Sequence, residues 1–116
     1  KGTTKEEYER GLREIVARIS YSGAAVVLCT PSVIGEIPDS TVGQNPMLNE
    51  YCAISRKIAS GTRIRLCDLH KAFNTYLLAH NPDKKEKGIL TTDGVHLNEA
   101  GNRLVADEML RFFEER

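Results

Sequence analysis

Ala24-Ala25-Val26-Val27-Leu28-Cys29-Thr30, closed by Pro31, is the stretch that decides the fold. A continuous apolar run of this length, with two adjacent valines, fits a strand covered on both faces, as in a parallel sheet. Proline has no amide to offer a ladder, so Pro31 ends the strand. The next strand is expected at Ile64 to Asp68, where Arg63 and Arg65 alternate with Ile64 and Leu66. That alternation suits a strand less buried than the first, at a sheet edge. Between the two lies a helical pattern from Met47 to Ser60. Leu48, Tyr51, Ile54, Ser55 and Ile58 mark its inner side, and Gly61 is the expected stop. Strand, helix, strand in this order is a right-handed parallel crossover, so the fold class is α/β.

Outward from this unit the pattern stays helical. Thr4-Lys5-Glu6-Glu7 has the form of a capping box, and Tyr8, Leu12, Ile15, Val16 and Ile19 follow at helical spacing. The first helix is therefore placed at 5–22, with Gly23 as its stop. A third helix is expected at 69–80, with Phe73, Tyr76 and Leu77 inward and Pro82 beyond its end. The last is expected at 98–115. Asn98 is its N-cap, Arg103, Asp107, Arg111 and Glu114 form its polar stripe, and Val105, Met109 and Phe112 oppose them. Residues 31–46 carry three prolines and two glycines and read as a loop too long for a simple connection. Asp83 to Lys87 reads as a solvated charged turn.

Composition excludes several classes. The 116 residues suit one domain, and 16 basic residues balance 16 acidic ones. No basic stripe stands out, which argues against a nucleic-acid partner. The longest apolar run, Gly23 to Cys29, is far too short to span a bilayer. No glycine-rich phosphate loop supports a nucleotide site. The three cysteines are odd in number and lack metal-ligand spacing, as do His70, His80 and His96. They read as buried thiols, leaning towards a reducing, cytoplasmic compartment, and neither a metal nor another cofactor is expected.

Asp93-Gly94-Val95-His96, feeding Leu97-Asn98-Glu99-Ala100-Gly101, is the stretch that carries chemistry. A carboxylate three residues from an imidazole can fix its tautomer and favour its cationic form, leaving the ring to accept a proton. From the residues alone two readings stand: two members of a nucleophilic triad, or an ordinary Asp-Gly turn before a helix. Asp68 likewise reads as the N-cap of the third helix or as a substrate contact. His70 reads as a surface helix residue and His80 as a helix-end residue. Ser32, beside Pro31 at a strand end, lies where substrate contacts gather in open parallel sheets.

Thr91 to Asn102 as a block resembles the terminal motif of the SGNH (GDSL-type) hydrolases. Leu28-Cys29-Thr30-Pro31-Ser32-Val33-Ile34-Gly35-Glu36 is similar to that family's fourth strand and following loop. Cys67-Asp68-Leu69 with Lys71-Ala72-Phe73 is similar to its fifth strand and next helix, and Lys1 to Tyr8 to the segment after its third block. The resemblance implies the C-terminal part of a flavodoxin-like three-layer α/β/α fold. It implies an ester hydrolase, of the esterase, lipase-like or carbohydrate acetylesterase kind, with Asp93 and His96 as two triad members and a small-molecule ester as substrate.

The family's nucleophile block, Gly-Asp-Ser, and its oxyanion glycine and asparagine have no match in the chain. Asp39-Ser40 is the nearest imitation, in a loop with no strand before it. Residues 1–116 are therefore expected to be the C-terminal half of one SGNH domain, a poor catalyst alone. The family's third strand would lie beside 24–30. The chain is accordingly expected to pair through that edge with its N-terminal half or with a second copy. The competing class is a non-catalytic binding or assembly module that keeps the scaffold.

Overall fold

A computed structural model describes residues 2–38 and 46–114. The Asp39-Ser40 pair, with the rest of 39–45, lies outside the described residues. The elements run α1 (Lys5–Tyr21), β1 (Val27–Cys29), α2 (Pro46–Thr62), β2 (Arg65–Cys67), α3 (Leu69–His80) and α4 (Glu99–Glu114). β1 and β2 are parallel neighbours, pairing Val27 with Arg65, Leu28 with Leu66 and Cys29 with Cys67.

The ends of the helices follow local chemistry. Thr4 Oγ1 accepts the Glu7 amide at 3.1 Å while the Thr4 amide donates to Glu7 Oε1 at 3.0 Å, closing the capping box. α2 does not stop at Gly61 as its sequence suggests. It continues to Thr62, and Arg63 takes the left-handed turn at φ +60°. The Ile64 amide then reaches back to the Ala59 carbonyl at 3.1 Å, which satisfies one of the last carbonyls of α2 and redirects the chain into β2.

Side chains alternate across the strands, so the two faces of the sheet meet different helices. Leu28 and its register partner Leu66 join Val16 of α1 and Ile58 and Ala59 of α2 in one core. Tyr8 stacks on Tyr51 at 4.6 Å and its hydroxyl bonds Ser55 Oγ at 2.8 Å, tying α1 to α2. Cys67, one position on from Leu66, faces the other way, towards a cleft between α3 and α4. There Phe73 and Leu77 of α3 pack with Val33 and Leu90, backed by Leu104 and Val105 of α4. Helices thus cover both faces of a parallel sheet, which is the α/β layering.

Three expectations are corrected. The ladder is shorter than 24–30 against 64–68, because β2 offers only three paired positions. Nor is the first strand buried on both faces: Val27, on the α3/α4 side, remains 40% exposed. On α4 the inward residues are Leu104, Val105 and Phe112, whereas Met109 is exposed. No helix among the described residues is long and apolar enough to cross a membrane.

Candidate active site

The site is a tight turn between the second core and α4. Thr91 bridges to Leu97 in antiparallel fashion, and the Thr92 amide donates to the His96 carbonyl at 2.8 Å. Gly94 supplies the backbone this requires, at φ +98°, a region where a Cβ is disfavoured. Asp93 closes the turn from within, its Oδ1 accepting the amides of Val95 at 2.9 Å and His96 at 2.7 Å.

That arrangement leaves Oδ2 for the ring. His96 Nδ1 lies 2.7 Å from Asp93 Oδ2. The carboxylate accepts there, so the neutral ring carries its proton on Nδ1 and presents a lone pair at Nε2. The His96 amide, the Val95 amide and the His96 ring together hold the Asp93 carboxyl well below the usual carboxylate range. Asp93 is therefore an anion at neutral pH. The His96 side chain is 80% exposed, so Nε2 is open to an incoming group.

Beside the pair runs a cleft of about 440 Å³, lined by Ile34, Gly35, Ile37, Lys87, Asp93 and Val95 among others. The early part of the 31–46 loop, Ile34 to Ile37, borders this turn. Its backbone is tied there, Gly35 N to Gly94 O at 2.7 Å and Glu36 N to Glu86 O at 3.1 Å. A larger cleft of about 730 Å³, between α3 and α4, is lined by none of the residues of the turn. Volume and chemistry disagree here, and the polar pair in the smaller cleft is the better guide.

The structure puts the other candidate residues elsewhere. Ser32 gives its carbonyl oxygen to His70 Nδ1 at 2.6 Å, at the head of α3, and does not line the cleft beside Asp93. His70 is a correction: it is a buried residue, 3% exposed, with Nε2 facing Asn74 Nδ2 at 3.2 Å. Its partners come from the β1 end and from its own helix, which no periodicity reveals. Asp68 caps α3 through the Lys71 amide at 3.1 Å and takes Arg56 on both oxygens, at 2.7 and 3.1 Å. Burial alone would raise the Asp68 carboxyl. Arg56, the Lys71 amide and Thr30 outweigh it and hold the carboxyl below its ordinary value.

No serine of the described residues is hydrogen-bonded to His96. Ser55 is buried against Tyr8 and Ser22 donates to the Ile19 carbonyl. Cys67 does not substitute: burial, and then the neighbouring Cys29 thiol, push it up to about 12, so it is not a thiolate at neutral pH.

Two residues of the site escaped sequence reasoning. Asn98 is more than a cap. Its Oδ1 accepts the Gly101 amide at 2.9 Å, while its Nδ2 donates to the carbonyls of Ile89 and Thr91. Glu36 is fully buried and its carboxylate is taken up by the amides of Ile89, Leu90 and Thr91. Its position after a strand, among loop residues, carries no signal of this.

A family model described as GDSL-like lipase/acylhydrolase matches residues 3–109, nearly the whole chain. The chain belongs to this family. No curated protein matches the chain at a significant level. Among solved structures of this SGNH/GDSL family, the acetyl xylan esterase AlAXEase is 40% identical, with TM-score 0.91, over 97% of this chain and 57% of its own. Axe2, an acetylxylan esterase from Geobacillus stearothermophilus, is 27% identical, with TM-score 0.76, over 92% of this chain and 46% of its own. LAE5, an alpha/beta hydrolase enzyme from the metagenome of Lake Arreo, Spain, is 29% identical, with TM-score 0.73, over 92% of this chain and 46% of its own. The GDSL-family chain thus spans about half the length of these structures. Catalytic mutants of Axe2 replace a serine, and an aspartate and a histidine three positions apart, with alanine.

Proposed function

We propose that this chain is the C-terminal half of an SGNH domain and supplies Asp93 and His96 to a Ser-His-Asp ester hydrolase. The reading is carried by one observation, the 2.7 Å hydrogen bond between His96 Nδ1 and Asp93 Oδ2 on an exposed turn of a GDSL-family chain. The aspartate and histidine of the Axe2 catalytic mutants have the same spacing, which supports it. In this reading the serine nucleophile and the oxyanion donors belong to the N-terminal half of the domain.

In this mechanism His96 Nε2 takes the proton from the serine hydroxyl as its oxygen attacks the ester carbonyl. Asp93 holds the ring and stabilises the imidazolium without itself becoming protonated. The tetrahedral intermediate collapses, and the imidazolium returns the proton to the leaving alcohol. Water, deprotonated by the same nitrogen, then attacks the acyl carbonyl, and the imidazolium returns that proton to the departing serine oxygen as the acid is released. The substrate proposed is an acetyl ester of a carbohydrate, by analogy with the acetyl xylan esterases of similar structure. The cleft beside Asp93 is the acyl- or sugar-binding surface that remains on this half.

The test is His96→Ala in the intact protein, assayed on p-nitrophenyl acetate and acetylated xylo-oligosaccharides. Turnover should fall by about 10³-fold or more, as loss of a triad member does. Unchanged turnover would refute the role, and an intact protein with no esterase activity at all would favour a binding module.

A further inference from the structure

The chemistry above leaves the fully buried carboxyl group of Glu36 without a task. Its Oε1 accepts the Ile89 amide at 2.9 Å. Its Oε2 accepts the amides of Leu90 at 3.1 Å and Thr91 at 2.6 Å, and the Thr91 hydroxyl as well. Four donors thus converge on one acceptor-only group. Residues 89–91 lie outside the two-stranded sheet, so the carboxylate does for their amides what a neighbouring strand would do. Burying a carboxylate is costly unless such donors compensate it. A side chain needed only to fill space there would be apolar.

The connection continues into the turn. Thr91 Oγ1, which donates to Glu36, accepts the Gly94 amide at 2.8 Å. Gly94 lies between Asp93 and His96 in the chain. The backbone of Glu36 is itself anchored, its carbonyl accepting Asn81 Nδ2 at 2.9 Å and its amide donating to Glu86 O at 3.1 Å. The path from a rigid buried anchor to the imidazole therefore runs Glu36, Thr91, Gly94, Asp93, His96.

We infer that Glu36 is a positioning residue for ester hydrolysis, holding the 91–96 turn so that Asp93 and His96 stay paired beside the cleft. The inference rests on the proposed roles of Asp93 and His96. Glu36 touches no reacting atom; it acts through Thr91 and Gly94.

Glu36→Gln in the intact protein keeps the volume but points an NH₂ at amides that need an acceptor. Rates are expressed per active site titrated with a covalent organophosphate, which removes any loss of folded protein. The expected result is a fall in kcat of about 10²-fold with KM changed less than about threefold, since a misplacement near 1 Å costs that much. The downfield proton resonance of His96 Nδ1–H on Asp93 should shift or vanish. Ile58→Val, remote in the other core, should lose stability yet leave titrated kcat and that resonance unchanged. Should Glu36→Gln not fold, Thr91→Val removes only the hydroxyl relay and should lower kcat about tenfold with KM unchanged. If His96→Ala is inactive while Glu36→Gln, or Thr91→Val in its place, keeps both kcat and the resonance, the positioning role fails alone. If His96→Ala is active, the dyad reading fails and the positioning role falls with it.

Discussion

Gly101 presses so closely on Leu90 that a Cβ at Gly101 would stand 2.1 Å from the Leu90 carbonyl oxygen. The first turn of α4 therefore packs directly on the backbone that feeds the turn carrying Asp93 and His96. The contact is made with main chain, which cannot swing aside as a side chain could. Gly101→Ala should destabilise the intact protein by about 3 kcal/mol, at the upper end for overpacking. Gly11, inside α1, has nothing within 4 Å of its Cβ position. Gly11→Ala should instead stabilise by about 0.5–1 kcal/mol. Urea denaturation of both variants checks the opposite signs.

Asp93→Asn tests the tautomer. The new side chain can still accept the Val95 and His96 amides through one oxygen, as Asp93 Oδ1 does. Its NH₂ then faces His96 Nδ1 and forces the ring proton onto Nε2, where the lone pair is needed. Turnover of p-nitrophenyl acetate should fall by up to about 10⁴-fold with KM little changed. Steady-state kinetics at saturating substrate decide it; a variant with full kcat refutes the orienting role.

The Arg56–Asp68 pair predicts how stability depends on pH. The Asp68 carboxyl is depressed in the folded state, so its contribution is fully present above the unfolded value, about 4. It is lost as pH falls from there through the folded value. Asn is as good an N-cap as Asp, so Asp68→Asn removes mainly the charge. Thermal melts of the intact protein should show wild type above the variant by a constant margin from about pH 5 to 7. The margin should shrink below about pH 4, and a margin that grows with acidity would contradict the assignment.

β1 is paired on one side by β2, and among the described residues no strand covers its other edge. Val27, within the apolar run of β1, is also exposed on the α3/α4 face. An open edge of this kind templates pairing with another chain, and two strands alone make a marginal sheet. Residues 1–116 expressed alone should therefore self-associate, and should form a defined complex when the proposed N-terminal half of the domain is added. Sedimentation velocity over a concentration series reads both; a concentration-independent monomer with a sharp melt would show the edge covered from within.

What the sequence determined by itself about this chain is local. A capping box spans four residues, a helix repeats every few, and the Asp93 turn closes over positions 93–96. Each is readable because the interacting groups are close in the chain and their spacing is the signal. Even there, the end of α2 was misplaced: a left-handed Arg63 does what Gly61 was expected to do. The long-range features had no such trace. A glutamate in a loop is by composition a surface residue, and a histidine on a helix equally so. Glu36 is buried because three amides 53 to 55 positions away converge on it, and His70 because the Ser32 carbonyl does. Only the tertiary structure decided these, since the donors that make burial of a polar group tolerable belong to segments brought together by packing.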